Sequence, residues 1–298
     1  MTPSSSTSAE KPIGLRSVEP ADARVLRDAA LRGRAYVLWP HDSDWLQSLK
    51  GIGDPPARLR AMASRGSLAP VGHGRWVIMP PAASSLDQAG PRDLLVAALL
   101  DGRVSDWYIG FWTALLHHGL TDVDADAVFV GARGAQLPKT LRAGALVLRT
   151  TTFSRSADWQ GVERFRVQGR VFAYRSDPER TLLDTLERPR LCGPPDVWVR
   201  AWERAAREER VDVQRLLEYS EGRNDTVQAR CAFWLREIGE VRVARRIMRG
   251  LGGPLNGRRP LDASASFGDA QAWHRDRETG LTINMPMDAI EGWMEYGK

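Results

Sequence analysis

The stretch Leu68-Ala69-Pro70-Val71-Gly72-His73-Gly74-Arg75-Trp76-Val77-Ile78-Met79-Pro80 decides the reading of the N-terminal third of the chain. Two short apolar runs flank a Gly-His-Gly tip, which predicts two strands joined by a tight turn. Side chains alternate along a strand, so Trp76 and Ile78 are expected on one face and Arg75 and Val77 on the other. Working back from this hairpin, Asp54 can cap a helix with Pro55 in its first turn. Leu59, Met62 and Ala63 form its apolar stripe, and Gly66 ends it. Before that, Asp42 or Ser43 can cap a short helix burying Trp45, Leu46 and Leu49, and Tyr36–Trp39 is a short apolar run. A first helix starts near Ser17, carries Val25, Leu26 and Ala29 inward, and stops at Gly33. Three short helices followed by a glycine-tipped hairpin is the order of a winged helix-turn-helix, whose third helix enters the major groove of DNA.

Charge follows the same division. Residues 1–85 hold 11 Lys/Arg against 7 Asp/Glu, and the rest of the 298-residue chain holds 31 against 30. The positive excess therefore lies where a phosphate-facing surface is expected. The third helix presents Arg58, Arg60, Ser64 and Arg65 on or beside its outward face, with Ala57 and Ala61 between them. Small residues let such a helix sit deep in a groove while arginines reach phosphates or guanine edges. His73 and Arg75 on the hairpin complete the expected DNA contacts. The ordinary alternative is a solvated helix face, and a GC-rich genome alone would favour arginine over lysine.

No run approaches the roughly 20 apolar residues of a membrane span. Met1–Pro12 is Ser/Thr-rich without an apolar core, which excludes a signal peptide or anchor. Cys192 and Cys231 are far apart, so neither a disulfide framework nor a zinc site is expected, and a cytoplasmic location fits. The organisation read from these features is a disordered tail (1–14), a winged helix-turn-helix (15–80), a linker (81–91), a larger domain (92–250) and an extension of unassigned role (251–298). The larger domain reads as α+β. Helices are expected at about 92–100 and 105–118, then strands at Ala127–Val130, Ala145–Arg149 and Phe165–Tyr174 with a turn at Gln168-Gly169. Helical runs follow from Asp177–Leu186, around Trp198 and Trp202, and over Val211–Tyr219, Thr226–Ile238 and Val241–Arg249. In the extension, Thr279-Gly280 predicts a hairpin turn, and a short helix is expected from Met287 to Tyr296.

The segment from Arg58 to Leu68, followed by Val71–Pro80, resembles the winged helix of AbiEi-type antitoxins, which runs from a recognition helix into a glycine-aromatic wing closed by proline. Tyr108-Ile-Gly-Phe-Trp-Thr-Ala-Leu-Leu-His-His-Gly-Leu-Thr121 and Ser176-Asp-Pro-Glu-Arg-Thr-Leu-Leu-Asp-Thr-Leu186 resemble segments of the same family's second domain. The three matches fall in order across residues 20–250. The resemblance implies an antitoxin of a type IV toxin–antitoxin pair. Such a protein represses its own promoter by binding double-stranded DNA and counteracts a nucleotidyltransferase toxin, often without a stable complex. The chain lacks the Gly-Ser and Asp-x-Asp arrangement of the transferase itself.

No catalytic constellation is expected, and neither a cofactor nor a metal. His117 and His118 end a buried helix, where a cation would complement the helix dipole. Asp122, Asp124 and Asp126 alternate like a calcium loop, but Ala127 and Arg133 stand where glycine and glutamate are needed. Asp177 reads as a helix cap and Arg180–Asp184 as an i,i+4 pair. Two rival functions remain. One is a transcriptional regulator sensing a small ligand, which a deep apolar pocket would favour. The other is a metal-dependent nuclease or transferase using Asp177, Glu179 and Asp184, which a shared metal site would favour.

Overall fold

Turn residues and caps place the N-terminal elements where the sequence predicts them. The computed structural model describes residues 18–134, 137–153, 159–264, 273–286, 288 and 290–292. The tail expected over 1–14 and most of the helix expected from Met287 to Tyr296 lie outside these residues. Helix α1 (Pro20–Leu31) begins on Pro20, and strand β1 spans Tyr36–Leu38. Helices α2 (Ser43–Ser48) and α3 (Pro55–Ser64) precede strands β2 (Leu68–Gly72) and β3 (Arg75–Ile78). The three strands form an antiparallel sheet in the order β1-β3-β2. At the hairpin tip, Gly74 has φ +66°, and a Cβ there would sit 2.4 Å from the Trp39 carbonyl oxygen, so only glycine fits.

Both faces of this small sheet are covered. Leu68, Val37, Trp76 and Ile78 pack with Val25, Leu46, Leu59 and Met62 of the three helices. Val71, Val77 and Ala35 pack on the other side against helix α4 (Arg92–Leu100). Every residue of α4 from Leu94 to Leu100 is buried, as expected of a helix apolar all round and enclosed by protein. Its far side lies on a six-stranded sheet through Trp107, Ile109, Val128, Val130, Leu148 and Ala173. Residues 81–91 are mostly exposed, with Ala83 and Ala89 buried and a 3-10 turn over Leu86–Gln88.

The six-stranded sheet contains β4 (Asp106–Ile109), β5 (Val128–Arg133), β6 (Thr140–Ala143), β7 (Leu146–Phe153), β8 (Val162–Gln168) and β9 (Val171–Ser176) in the order β6-β7-β5-β4-β9-β8. It is mixed, with β4–β9 and β5–β7 parallel and the other neighbours antiparallel. One expectation fails here. The helix expected over 105–118 is strand β4 followed by the shorter α5 (Phe111–His117), so Tyr108 belongs to a strand. The i, i+3, i+4, i+7 apolar spacing arose because both elements face the core on the same side of Gly110.

The second face of the large sheet carries α5 and then α6 (Pro178–Glu187), α7 (Pro195–Arg207), α8 (Val213–Glu221), α9 (Asp225–Glu237) and α10 (Val241–Gly250). Tyr108, Phe111, Phe153, Trp198, Trp202 and Trp234 fill the core between sheet and helices. A hairpin of β10 (His274–Arg275) and β11 (Thr282–Ile283) turns at Thr279-Gly280, as expected, and buries Leu281 and Ile283 in that core. The class is α+β. Its layers run three helices, small sheet, α4, large sheet, helical bundle.

Candidate nucleic-acid interface

Helix α3 is built to keep one face outward. The Asp54 carboxylate accepts from the Ala57 amide at 3.0 Å, and Leu59 and Met62 are buried beneath. Ala57, Arg60, Ser64 and Arg65 are exposed, and Ala61 is half-buried. Among the described residues, Arg60 has no hydrogen-bond or ion-pair partner. It stands between two alanines as an unneutralised guanidinium.

The flanking arginines differ. Arg65 grips Asp22 of α1 with both Nε and Nη2, each at 2.8 Å. Arg58 Nη1 reaches the same carboxylate at 3.3 Å and Glu19 at 2.5 Å, while its Nε donates to the Ile52 carbonyl at 3.0 Å. Asp22 is fully buried and clamps α1 to α3 through both side chains. With Glu19 also 3.1 Å from Arg65, two carboxylates offset the two guanidiniums, and Arg58 and Arg65 carry little of the free charge their sequence suggests. An aspartate in the first turn of α1 reads as an ordinary favourable partner of the helix dipole. Nothing in the sequence marks it as buried. The Ser64 hydroxyl donates to the Ala61 carbonyl at 2.8 Å, which leaves its oxygen free only to accept. Phosphate oxygens are acceptors, so Ser64 serves as a small residue at close range.

On the hairpin, His73 is exposed at the tip. Arg75, expected to touch DNA, does not point outward. It is 8% exposed, and its Nη1 donates to the carbonyls of Ala98 at 3.0 Å and Asp101 at 2.6 Å. These carbonyls end α4, where a helix leaves its acceptors unpaired and partly negative. The Asp101 side chain accepts from Tyr36 and, at 3.1 Å, from Trp107 Nε1. Arg75 thus belongs to a clasp that joins the small sheet, α4 and the large sheet. Strand alternation puts Arg75 and Val77 on one face but carries no sign that α4 covers it.

The acidic cluster of the larger domain is also resolved. The Asp177 carboxylate caps α6 at the Arg180 amide (2.8 Å) and accepts from the Tyr219 hydroxyl (2.8 Å). Glu179 accepts from the Asp212 amide at 2.7 Å. Arg180 and Asp184 pair at 2.8 Å, both fully buried, and Arg180 also donates to the Tyr108 hydroxyl at 3.0 Å. Among the described residues, no group of His, Cys, Asp and Glu is placed to hold a metal ion. The three carboxylates instead lock α6 to the sheet and to α8. Burial pushes Asp177 up to about 6.

The histidine pair departs from the expected cation. Burial first, and then the neighbouring Arg175 guanidinium, push His117 down to about 4, and burial also lowers His118. Neutral His117 Nε2 accepts from Arg175, whose other nitrogen binds Asp93 at 2.8 Å. His118 donates to the Ser176 carbonyl at 2.7 Å. Cys192 and Cys231 are buried free thiols, and burial holds both well above the usual thiol range.

No family model matches the chain, and no curated protein matches it. Among solved structures, the fold is similar to that of the RV2827C protein from Mycobacterium tuberculosis, with a TM-score of 0.65 at 17% identity over 96% of this chain and 98% of that one. At that identity the likeness is one of fold. No helix among the described residues is long and apolar enough to cross a membrane.

Proposed function

We propose that the chain is a DNA-binding antitoxin of a type IV toxin–antitoxin pair, acting as a transcriptional repressor of its own promoter and countering a nucleotidyltransferase toxin. The observation that carries the DNA-binding half is Arg60, unpaired on the exposed face of α3 and flanked by Ala57, Ala61 and Ser64. A helix of this kind can approach base edges closely enough for a bidentate guanidinium contact. His73 at the exposed hairpin tip, with Arg58 and Arg65 at the helix edge, is placed to brace against phosphates. The antitoxin half rests on the resemblance of the three ordered segments, and the toxin is a functional partner whose direct contact with this chain is left open.

The test is a titration of the full chain against a duplex from its own upstream region and against a scrambled duplex, at low and moderate salt. Selective binding that weakens with salt supports a specific reader. Equal, weak binding to both duplexes removes the proposal's DNA half.

A further inference from the structure

Helix α10 turns Ala244, Ile247 and Met248 inward and leaves Arg242, Arg245, Arg246 and Arg249 exposed. The helix contains no carboxylate, and among the described residues none of these four arginines has a hydrogen-bond or ion-pair partner. Some other arginines of the helical bundle are neutralised instead: Arg204 by Asp122 at 2.6 Å, Arg207 by Glu203 at 2.8 Å, and Arg236 by Asp276 at 3.0 Å. A domain with near-equal numbers of acids and bases thus leaves one helix face bare.

Beside that face runs a groove of about 960 Å³ between α10, α9 and the turn of the β10–β11 hairpin. Arg242, Arg245 and Arg249 line it, whereas Arg246 does not. The rest of its lining is mostly apolar, from Ala232, Ala244, Met248, Pro254 and the arginine stems, with Gly252, Gly253 and Thr279 at its edge. The one unburied carboxylate on its rim, Glu278, lies 3.5 Å from Arg236 and is screened by it. The volume falls within the range of about 300–1,000 Å³ that small-molecule sites occupy.

We propose that this groove binds a small anionic amphiphile, a molecule with a carboxylate or phosphate head and an aliphatic body. The guanidinium fork of arginine matches carboxylate and phosphate oxygens bidentately, and three of them line the α10 wall of an apolar trough. A nucleic-acid backbone would engage the charges but has nothing to lay on Ala244 and Met248. A purely apolar ligand would leave the arginines unused. The inference stands apart from the DNA reading, because none of the groove residues belongs to α3 or its hairpin.

The experiment is calorimetric titration of the full chain with decyl phosphate below its micelle-forming concentration, beside decyl glucoside as a neutral head on the same tail. Saturable one-site binding of decyl phosphate is expected, with decyl glucoside at least about tenfold weaker. Arg245→Glu and Arg249→Glu should each weaken the phosphate probe by about tenfold or more. Met248→Trp, which fills the trough, should abolish binding in protein that circular dichroism shows to be folded, at some cost in melting temperature because Met248 also packs in the core. Arg60→Ala should leave probe binding untouched, so failure of the DNA proposal and failure of this one are separable. Equal binding of the two probes, indifference to both charge reversals, or binding only to anionic phospholipid vesicles and not to monomeric probe would overturn the proposal. So would displacement of the probe by a short scrambled duplex that itself loses affinity in Arg245→Glu, since the face would then be a polyanion surface.

Discussion

Replacing Arg75 with methionine tests whether the hairpin arginine holds the molecule together or touches DNA. The substitution keeps most of the aliphatic stem and removes the guanidinium that binds the Ala98 and Asp101 carbonyls at 3.0 and 2.6 Å. Hydrogen bonds to a charged group are worth about 1.5–3 kcal/mol each. Against them stands the desolvation of a cation that is only 8% exposed, a cost large enough that burial lowers the Arg75 pKa. Losing both bonds also strands the C-terminal acceptors of α4, so a net destabilisation of about 2–4 kcal/mol is expected. For a chain of this size that lowers the melting temperature by roughly 3–6 °C. The assay is urea unfolding followed by tryptophan fluorescence, paired with fluorescence anisotropy of the upstream duplex at a temperature where the variant is folded. DNA affinity of the folded variant should stay within about twofold of the parent, because Arg75 faces α4. Arg60→Ala should do the reverse, with unchanged unfolding and operator binding weakened by about 1–3 kcal/mol. If Arg75→Met unfolds normally but loses DNA affinity tenfold, the assignment of Arg75 to the α4 clasp is wrong.

Asp22→Asn removes the charge that holds Arg58 and Arg65. It should destabilise the chain by about 1–3 kcal/mol and raise its affinity for a scrambled duplex at low salt, since Glu19 alone is left to offset two guanidiniums; denaturation and anisotropy titrations check both. Asp184→Ala strands the buried Arg180 guanidinium and should lower stability by about 3–5 kcal/mol, whereas Arg180→Met with Asp184→Leu should recover most of it. A double variant no more stable than the single one by chemical denaturation would refute the ion-pair account. His117 titrates at about 4 when folded against 6.5 for a free side chain, so unfolding takes up a proton between those values and stability falls as pH drops through that window. Asp177, at about 6 against 3.8, acts with the opposite sign: its share is present below pH 4 and is lost as pH rises toward 6. His117→Asn should therefore flatten the acid-side decline seen in urea midpoints between pH 6.5 and 4, and an unchanged slope would remove His117 as its source.

Local chemistry made much of the fold legible. Asp54-Pro55, the Gly72–Gly74 tip, Asp177-Pro178 and Thr279-Gly280 each mark a boundary by a backbone requirement that no distant contact overrides. The errors come from tertiary covering. Tyr108 and Phe111 share a core but belong to different elements, because the break at Gly110 is silent in a hydrophobic count. The edge strand Thr140–Ala143 carries too little apolar character to be seen alone, and it exists through its pairing with Leu146–Arg149. In the candidate interface, the placement of Arg60 and Ser64 followed from helical periodicity. The roles of Arg58, Arg65 and Arg75 did not, since each depends on a partner from another element: Asp22 for two of them, the end of α4 for the third. The bare face of α10 was visible in principle as four arginines at i, i+3, i+4 and i+7 with no acid among them, but only the fold reveals a groove beside it.

The burial of α4 on every side bears on how such a protein can change over evolutionary time. A recombination event that joined the first 80 residues to a foreign partner would leave Val71, Val77 and Ala35 uncovered, and the remaining fragment would expose the apolar run Leu94–Leu100 to water. Exposed apolar surface of that kind drives aggregation. Exchange of the N-terminal module is therefore tolerated only when α4 travels with it and its other face still fits the receiving sheet. Surface variation is channelled into the exposed positions of α3 and the hairpin tip, where Ala57, Arg60, Ala61 and His73 can be replaced without disturbing a shared core.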